Sequence, residues 1–396
     1  MKKTLEHKLA AIHADPAGCR EFLIADAKDA DMAFGIGAPG MSPERHDGEL
    51  RFRTLAEYRE QIRLIVRQAD VDIMLMSAST SEVLTLQDRL FDDSPVTPAI
   101  RANDTTDIWV FRGSRIGGEA SRPFRSASID HAQCGRLDCG PDERTRGANL
   151  GLYSITFNND RDRDLEALEC YAQFRDEAER KGFRHFLEVF YPNVSGVVAP
   201  ELLPQFICDA IVRTLAGVTS SSRPMFLKIP FPGPRVLEEL VAYDPHLVVG
   251  VLGGSAGTTR DAFQLIADAR RHGARIALFG RKINQAENQL AFIRFLRLIV
   301  EDALSAEEAV RAYHSVLEKL GLHPHRPLSE DQELTSTGTS YGGGGSTRRS
   351  TSVGRNGGEA AGGSGSGATD AKKLTEMTAE ERLAYHRARL NRALGE

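Results

Sequence analysis

Short apolar segments of strand length alternate with amphipathic helical segments through most of the chain, and this alternation constrains the fold more than any other feature. Many of the apolar segments are followed by a helical pattern, as at Leu55–Gln68, Leu165–Lys181, Pro234–Tyr243, Thr259–Arg271 and Asn288–Glu301. The eight strand candidates are Met32–Gly37, Val71–Ser77, Thr97–Ala102, Leu150–Asn158, Phe186–Tyr191, Met225–Ile229, Leu247–Leu252 and Arg275–Phe279. Eight strand–helix units predict an α/β protein with a closed (β/α)₈ TIM barrel over residues 25–322.

An open doubly wound sheet is the alternative architecture. It normally has fewer repeats, and it commonly binds a dinucleotide at a glycine-rich turn after its first strand. The segment Gly35-Ile-Gly37-Ala-Pro-Gly40 imitates such a turn. Pro39 lacks both the backbone N–H and the flexibility that a phosphate cradle needs, so we favour the barrel.

Composition and charge exclude several classes of protein. Of the 396 residues, 41% are hydrophobic and 27% are charged, which is typical of a globular protein with a sizeable core. The five cysteines, odd in number and scattered, favour reduced thiols. Without a signal peptide or a long apolar run, and with a net charge of -5, we expect a cytoplasmic protein that binds neither membranes nor nucleic acid.

The ends of the chain differ from the barrel region. Residues 1–24 are predicted to form an N-terminal helical extension, and residues 323–370 a flexible linker, because residues 335–370 hold 12 of the 36 glycines and few apolar side chains. Residues 371–396 are predicted to form a short amphipathic helix that begins at the capping box Thr378-Ala-Glu-Glu381. That helix is either solvated or docks a partner.

A long insertion, residues 105–147, follows the third strand, at a position where barrel enzymes carry lids. It holds the sole tryptophan, Trp109, and five arginines between Arg112 and Arg136. His131, Cys134, Asp138 and Cys139 are candidate zinc ligands, but no second paired motif accompanies them. We therefore favour ordinary thiols in an irregular loop and expect no metal.

Lys228 is the first candidate catalytic residue, because it lies within the otherwise apolar segment Met225-Phe-Leu-Lys-Ile229. Burial would lower the pKa of its ammonium group and free the lone pair that attacks a carbonyl carbon to form a Schiff base. A lysine paired with a carboxylate of a neighbouring strand fits the same position. Position alone leaves the two interpretations open.

The turns after the seventh and eighth strands suggest a phosphate site. Gly253, Gly254 and Ser255 follow the seventh strand, where a glycine-rich backbone and the start of the next helix can supply N–H donors to an oxyanion. Gly280 and Arg281 follow the eighth strand and add a guanidinium. In (β/α)₈ barrels these two loops frequently bind a substrate phosphate.

Taken together, these residues resemble the class I aldolases of the DhnA and deoxyribose-phosphate aldolase type, which are Schiff-base barrels. Phe190-Tyr-Pro192 is similar to the family's Tyr-Pro motif, and Asn103-Asp-Thr-Thr106 to its Asn-Gly-Thr-Thr. The resemblance implies that Lys228 forms the imine, that Tyr191 is the general acid/base, and that Ser255 and Arg281 hold a substrate phosphate. It also implies a homo-oligomer that uses no cofactor.

Two departures from the family pattern bear on the chemistry. The family's aspartate at the end of the first strand has no counterpart in Phe34–Gly40, and strand alternation from Tyr191 directs Glu188 away from the site. Asp160, after the fourth strand, is therefore the expected substitute. Val189 replaces the family's tryptophan, which predicts an altered substrate pocket.

The leading hypothesis is an aldehyde-lyase that makes or cleaves a C–C bond in a phosphorylated keto sugar. A transferase or thiolase-like reaction through the same imine, and a catalytically inactive sugar-phosphate-binding barrel, are the alternatives. A metal-dependent aldolase is less favoured, because His185 and His246 lie at the beginnings of strands rather than at their carboxyl ends.

Overall fold

Eight parallel strands form a closed barrel in the computed structural model, which describes residues 2–40, 52–254 and 257–335. Neighbours along the chain are neighbours in the barrel, and the first strand pairs with the last. The ring is completed where the Ile229 N–H donates to the Gly250 carbonyl oxygen at 2.9 Å. The strands are β1 Leu23–Lys28, β2 Ile73–Met76, β3 Thr97–Arg101, β4 Leu150–Thr156, β5 Arg184–Phe190, β6 Leu227–Lys228, β7 Gly250–Leu252 and β8 Ile276–Phe279.

Helices cover the outside of the barrel. Most have an apolar face that packs on the strands and a polar face toward solvent. The helices are α1 Thr4–Ala14, α2 Asp31–Phe34, α3 Leu55–Gln68, α4 Ala78–Ser81, α5 Ile129–Cys134, α6 Arg161–Arg180, α7 Leu203–Leu215, α8 Pro234–Tyr243, α9 Thr259–Arg271, α10 Arg281–Gln285, α11 Gln289–Val300, α12 Ala306–Lys319 and α13 Leu328–Asp331. No helix of the described residues is long and apolar enough to cross a membrane.

Strand alternation divides the buried side chains into two cores. Leu23, Ala25 and Ala27 of β1 belong to the core inside the barrel, together with Phe186 and Phe226, whose rings stack at 4.5 Å. A second, larger core fills the layer between strands and helices. At the carboxyl ends of the strands, the inward positions lie beyond this apolar inner core and hold polar side chains.

Helix α1 closes the amino-terminal end of the barrel. Its buried residues Leu5, Leu9 and Ile12 join the inner core. The Lys3 ammonium donates to the carbonyl oxygens of Phe91, Ser94 and Val96, just before β3. The N-terminal helix is therefore part of the barrel's packing.

Seven of the eight predicted strands are confirmed, but the first was wrong. Met32–Gly37 forms the short helix α2 and a 3₁₀ turn, and the true first strand is Leu23–Lys28. Asp26 and Lys28 interrupt its apolar pattern, which hides the strand from a search for apolar runs. Both are fully buried, with Lys28 Nζ 3.1 Å from the Asp26 carboxylate.

Residues 323–335 belong to the predicted linker, but their second half packs on the barrel. The buried Asp331 accepts a hydrogen bond from the Thr259 N–H at 2.7 Å and lies 2.9 Å from His314 Nε2. Thr335 donates to Asp261. The rest of the linker and the predicted helix 371–396 lie outside the described residues.

The insertion after β3 folds back over the mouth of the barrel. A short antiparallel ribbon pairs Asp104–Thr105 with Pro123–Phe124. Arg122 and Arg125 form salt bridges with Glu166 and Glu177 of α6. These contacts hold the insertion against helix α6 of the barrel.

Candidate active site

A cavity of about 440 Å³ opens at the carboxyl ends of the strands, where barrel enzymes carry out their chemistry. One side is apolar, with Ala33, Phe34, Ile108 and Val110. The other residues that bear on its chemistry are Asp29, Arg101, Asp107, Glu188, Tyr191, Lys228, Gly253, Gly254, Gly280 and Arg281. The structure thus brings together every predicted site residue except Ser255, which lies outside the described residues.

Lys228 and Glu188 form an ion pair at the floor of the cavity. The parallel register of β5 and β6 places them side by side, and Lys228 Nζ is 2.5 Å from Glu188 Oε1. Both side chains point into the barrel and are buried. The lysine thus has the carboxylate partner that one interpretation of the sequence required, and it also faces a cavity large enough for a substrate.

Arg101 links this pair to a second carboxylate. Its Nε donates to Asp29 at 2.6 Å, and its other nitrogens lie 3.1 Å from Ser154 Oγ and 3.5 Å from Glu188 Oε2. The Ser154 hydroxyl donates to the same Glu188 oxygen at 2.6 Å. We call Asp29, Arg101, Glu188 and Lys228 the ion cluster; its two cations and two anions balance.

The ion cluster keeps the buried carboxylate of Asp29 charged. Burial opposes ionisation of Asp29, but Arg101 and Lys228 outweigh it and hold the pKa of Asp29 below its usual range. Burial likewise acts to lower the pKa of Arg101, yet Asp29 and Glu188 raise it above the ordinary value. Each charge is therefore stabilised by the others.

The ion cluster corrects two expectations about the missing acid. Asp29 follows the true first strand, so this strand end does carry a carboxylate. Glu188 lies within β5 and points into the barrel. Tyr191 lies beyond the end of β5 at Phe190, so the alternation counted back from Tyr191 gives the wrong direction for Glu188. The expected substitute, Asp160, is instead exposed and caps α6 by accepting from the N–H groups of Asp162 and Arg163.

Three residues that the family resemblance singled out, Tyr191, Val189 and Asn103, lie in different environments. The Tyr191 side chain lines the cavity, and burial raises the pKa of its hydroxyl. Val189, which stands where the family has tryptophan, packs in the outer core between strands and helices. The expected change in the substrate pocket therefore does not come from this residue. Asn103 joins β3 to β4 through hydrogen bonds with the backbone of Ser154.

The predicted phosphate loops reach the cavity from β7 and β8. A Cβ atom on Gly253 would lie 2.1 Å from the Phe279 ring, and Gly254 has a φ of +57°, so both positions favour glycine. Among the described residues, the Arg281 guanidinium has no hydrogen bond or salt bridge, and it stacks 5.9 Å from the centre of the Phe34 ring. Burial lowers the pKa of Arg281, although Glu188 opposes the shift. A cavity-lining cation of this kind is suited to bind an anion.

The start of α9 does not supply the free N–H donors that the sequence suggested. The Thr259 N–H donates to Asp331 and the Asp261 N–H to the Thr258 hydroxyl. These protein acceptors engage the N–H groups of Thr259 and Asp261 in the first turn. An anion in the cavity would therefore depend on Arg281 and on the glycine turns.

The buried ammonium group of Lys28 helps to hold the turn that carries Arg281. On the outer face of β1, the Lys28 ammonium donates to the side-chain oxygens of Asn284 and Gln289. Asn284 belongs to α10, the short helix that begins at Arg281. These contacts fix the turn that carries the guanidinium.

Sequence reasoning missed Asp29, Arg101 and the role of Glu188. Charged residues inside buried strands are rare, and Lys28, Arg101 and Glu188 each break an apolar strand pattern. A charged residue within an apolar strand is the same feature that identifies Lys228 as a candidate.

The four candidate zinc ligands do not come together in one group among the described residues. Within the described residues, one group of potential ligands forms around Cys134, Cys139 and Glu143, whose ligand atoms lie within 4.8 Å of one another. Glu143 already binds Arg136 at 2.6 Å and Arg146 at 3.1 Å. His131 contacts Ser128 instead, and none of these residues lines the cavity.

Comparison with known proteins identifies the fold. No protein-family model matches the chain, and no curated protein has a significant match. Among solved structures, an archaeal fructose-1,6-bisphosphate aldolase with its catalytic lysine bound to the carbinolamine intermediate aligns with a TM-score of 0.53 and 18% identity, over 74% of this chain and 99% of that one. The chain has the barrel fold of these aldolases.

Two further structures agree with this aldolase-like barrel. Fructose-bisphosphate aldolase from Slackia heliotrinireducens gives a TM-score of 0.53 at 16% identity, covering 78% of this chain and 90% of its own. A protein from Corynebacterium glutamicum gives a TM-score of 0.51 at 15% identity, covering 77% and 99%. The predicted (β/α)₈ architecture and the resemblance in fold are confirmed.

The ion cluster generates a prediction about stability. Replacing Arg101 by methionine leaves Asp29 and Glu188 with Lys228 alone, so the free energy of unfolding should fall by about 3–5 kcal/mol near pH 7. The pKa of Asp29 is depressed in the folded protein, so its contribution is present above its unfolded pKa and is lost as pH falls through the folded value. The deficit should therefore persist down to about pH 4 and shrink only as the pH falls further, through the folded pKa of Asp29. Urea unfolding at about pH 7 and at about pH 3 measures it.

The control is Arg122→Met, which removes the exposed pair with Glu166 and should hardly change the free energy of unfolding, because solvent screens that pair. Similar losses for the two variants, or a deficit independent of pH, would contradict the charge balance assigned to the ion cluster.

Proposed function

We propose that the protein is a Schiff-base aldehyde-lyase that makes or cleaves a C–C bond in a phosphorylated keto sugar. The observation that carries the proposal is Lys228, a buried lysine that faces a substrate-sized cavity and has a carboxylate 2.5 Å from its nitrogen. A cation without a salt bridge among the described residues, Arg281, lines the same cavity. The relatedness in fold to Schiff-base aldolases supports the proposal.

Imine formation begins when Glu188 Oε1 accepts a proton from the Lys228 ammonium. The neutral amine then attacks the substrate carbonyl carbon, and the oxygen takes a proton from the attacking nitrogen to give a carbinolamine. Loss of that hydroxyl as water, with a proton returned by the carboxylic acid, leaves the iminium. Glu188 lies within reach of both proton transfers, and its second oxygen is held by Ser154 and Arg101.

Bond cleavage uses the iminium as an electron sink. A base removes the proton from the hydroxyl group on the carbon beyond the bond that breaks, an aldehyde leaves, and the bonding electrons form an enamine on Lys228. Proton return to the enamine carbon, followed by hydrolysis of the imine, releases the ketone and the free lysine. We assign the proton transfers at carbon to Tyr191, whose raised pKa keeps its hydroxyl protonated near neutral pH.

Substrate phosphate is assigned to Arg281 and to the turns at Gly253, Gly254 and Gly280, with Ser255 as a further proposed donor. Charge-assisted bonds to a guanidinium are about twice as strong as neutral ones. Binding a remote phosphate there helps to hold the carbonyl carbon against Lys228.

A sugar-phosphate-binding barrel without turnover is the second candidate. One observation favours it: Lys228 and Glu188 have the geometry of a structural ion pair, and Arg101 and Asp29 complete the charge balance. A transferase that forms the same imine would use the same residues as the lyase.

Trapping of the imine tests the proposal directly. Borohydride added with dihydroxyacetone phosphate should reduce the imine and leave a stable mass adduct on Lys228, which peptide mass spectrometry locates. Lys228→Met should abolish the adduct, whereas Lys181→Met, at a lysine paired with Asp130 outside the cavity, should retain it. An adduct elsewhere, or none with a panel of ketose phosphates, would favour the binding barrel.

Two variants separate the assigned proton carriers. Glu188→Gln should slow the rate of imine trapping by about 10²–10⁴-fold, since it removes the group that accepts the lysine proton. Tyr191→Phe should leave trapping nearly unchanged and slow overall turnover by a similar factor, because the enamine carbon loses its proton donor. Borohydride quenching at successive times measures imine formation and a steady-state assay measures turnover; an equal effect of the two variants on the trapping rate would refute the division of roles.

The phosphate assignment predicts a selective loss. Arg281→Ala should lower kcat/KM for phosphorylated substrates by about one to two orders of magnitude and hardly affect unphosphorylated analogues. Arg260→Ala, at an arginine that pairs with Glu307 outside the cavity, is the control. Equal losses for both substrate types would instead make Arg281 a residue that supports the fold.

A further inference from the structure

We infer that the cavity takes a monophosphorylated substrate whose far end is uncharged and hydroxylated, and that Asp107 selects it against a bisphosphate. The inference rests on the proposed function for the place of the phosphate and adds the substrate class. It is built on the side of the cavity that lies across the barrel from Arg281.

The order of strands fixes the direction of the substrate. In a ring of eight strands, β4 lies opposite β8 and β3 lies opposite β7. A phosphate at Gly253 and Arg281 is therefore on the β7 and β8 side, with Lys228 on β6. The rest of a chain-like substrate extends toward β3 and β4, under the insertion.

Asp107 lines the cavity on that far side, and its carboxylate is held in place. The Ser121 hydroxyl donates to Oδ1 at 2.6 Å, and the Thr156 hydroxyl, at the end of β4, donates to Oδ2 at 3.0 Å. Ile108, the next residue in the chain, also lines the cavity. The far end thus presents a fixed carboxylate beside an apolar side chain.

The cations that could bind a second phosphate are engaged elsewhere. Among the described cavity residues, Arg101 and Lys228 are paired within the ion cluster, which leaves Arg281 alone for an anion. None of the described arginines of the insertion lines the cavity, and four of them contact other partners: Arg112 lies over Phe52, Arg122 pairs with Glu166, Arg125 with Glu177, and Arg136 with Glu143.

A carboxylate at this position discriminates by charge. A second phosphate would meet a fixed like charge in a partly desolvated place, and like charges brought together at an interface disfavour the wrong partner. A hydroxyl group would instead donate to Asp107, because each carboxylate oxygen keeps a lone pair beyond its present hydrogen bond. Asp107 therefore favours a polyol end over an anionic one.

The test compares glucitol 6-phosphate with glucitol 1,6-bisphosphate by isothermal titration calorimetry. The monophosphate should bind at least about tenfold more tightly. Asp107→Asn should reduce that ratio at least about threefold, because the hydroxyls of Ser121 and Thr156 can rotate to suit an amide while the charge is lost. Glu119→Gln, an exposed acid of the same insertion outside the cavity, should leave the ratio unchanged.

Equal or tighter binding of the bisphosphate to the unmodified protein would overturn the inference, whatever the variants do. Equal effects of Asp107→Asn and Glu119→Gln would overturn the role of Asp107, since net charge alone would then account for the preference. Neither glucitol phosphate has a carbonyl group, so this result does not depend on imine formation. Failure of borohydride trapping with ketose phosphates would refute the lyase and leave the binding preference standing.

Discussion

The ion cluster of Asp29, Arg101, Glu188 and Lys228 is the interaction on which the carboxyl end of the barrel depends. It draws one side chain from each of the strand ends at β1, β3, β5 and β6, so it ties together strands that are not all neighbours. Moving a charge from water into the protein interior is costly, and here each charge is compensated by at least one partner of opposite sign. The same compensation keeps a proton acceptor beside the lysine amine. Structure and proposed chemistry therefore use one set of contacts.

Most of the barrel was predictable from the sequence because its signals are local. β-rich apolar runs and amphipathic helices reveal themselves through periodicity, and α3, α8 and α9 begin and end where the pattern predicts. The first strand was missed because Asp26 and Lys28 lie within it. The buried ammonium group of Lys28 is stabilised by Asn284 and Gln289, which are more than 250 residues away in the chain. A pattern within one segment cannot reveal such partners.

The candidate site shows the same division. Lys228, Tyr191 and Arg281 could be found because each stands out in its own segment, and the fold then gathers them. Glu188 could not be oriented without the end of β5, and Asp29 required the correct first strand. The ion cluster is a property of strand order and register, so it emerges only once the barrel is closed. Whether the Thr259 N–H at the start of α9 is free to bind an anion likewise depends on Asp331, which lies far along the chain.

Helix α1 and the last described residues lie at opposite ends of the barrel. Leu5, Leu9 and Ile12 seal the amino-terminal end, whereas Thr335 is bonded to Asp261 beside the turn that follows β7. The amino end of the chain thus emerges on the face away from the cavity. A surface, a carrier or a fused protein attached there would leave the mouth of the barrel turned toward solution.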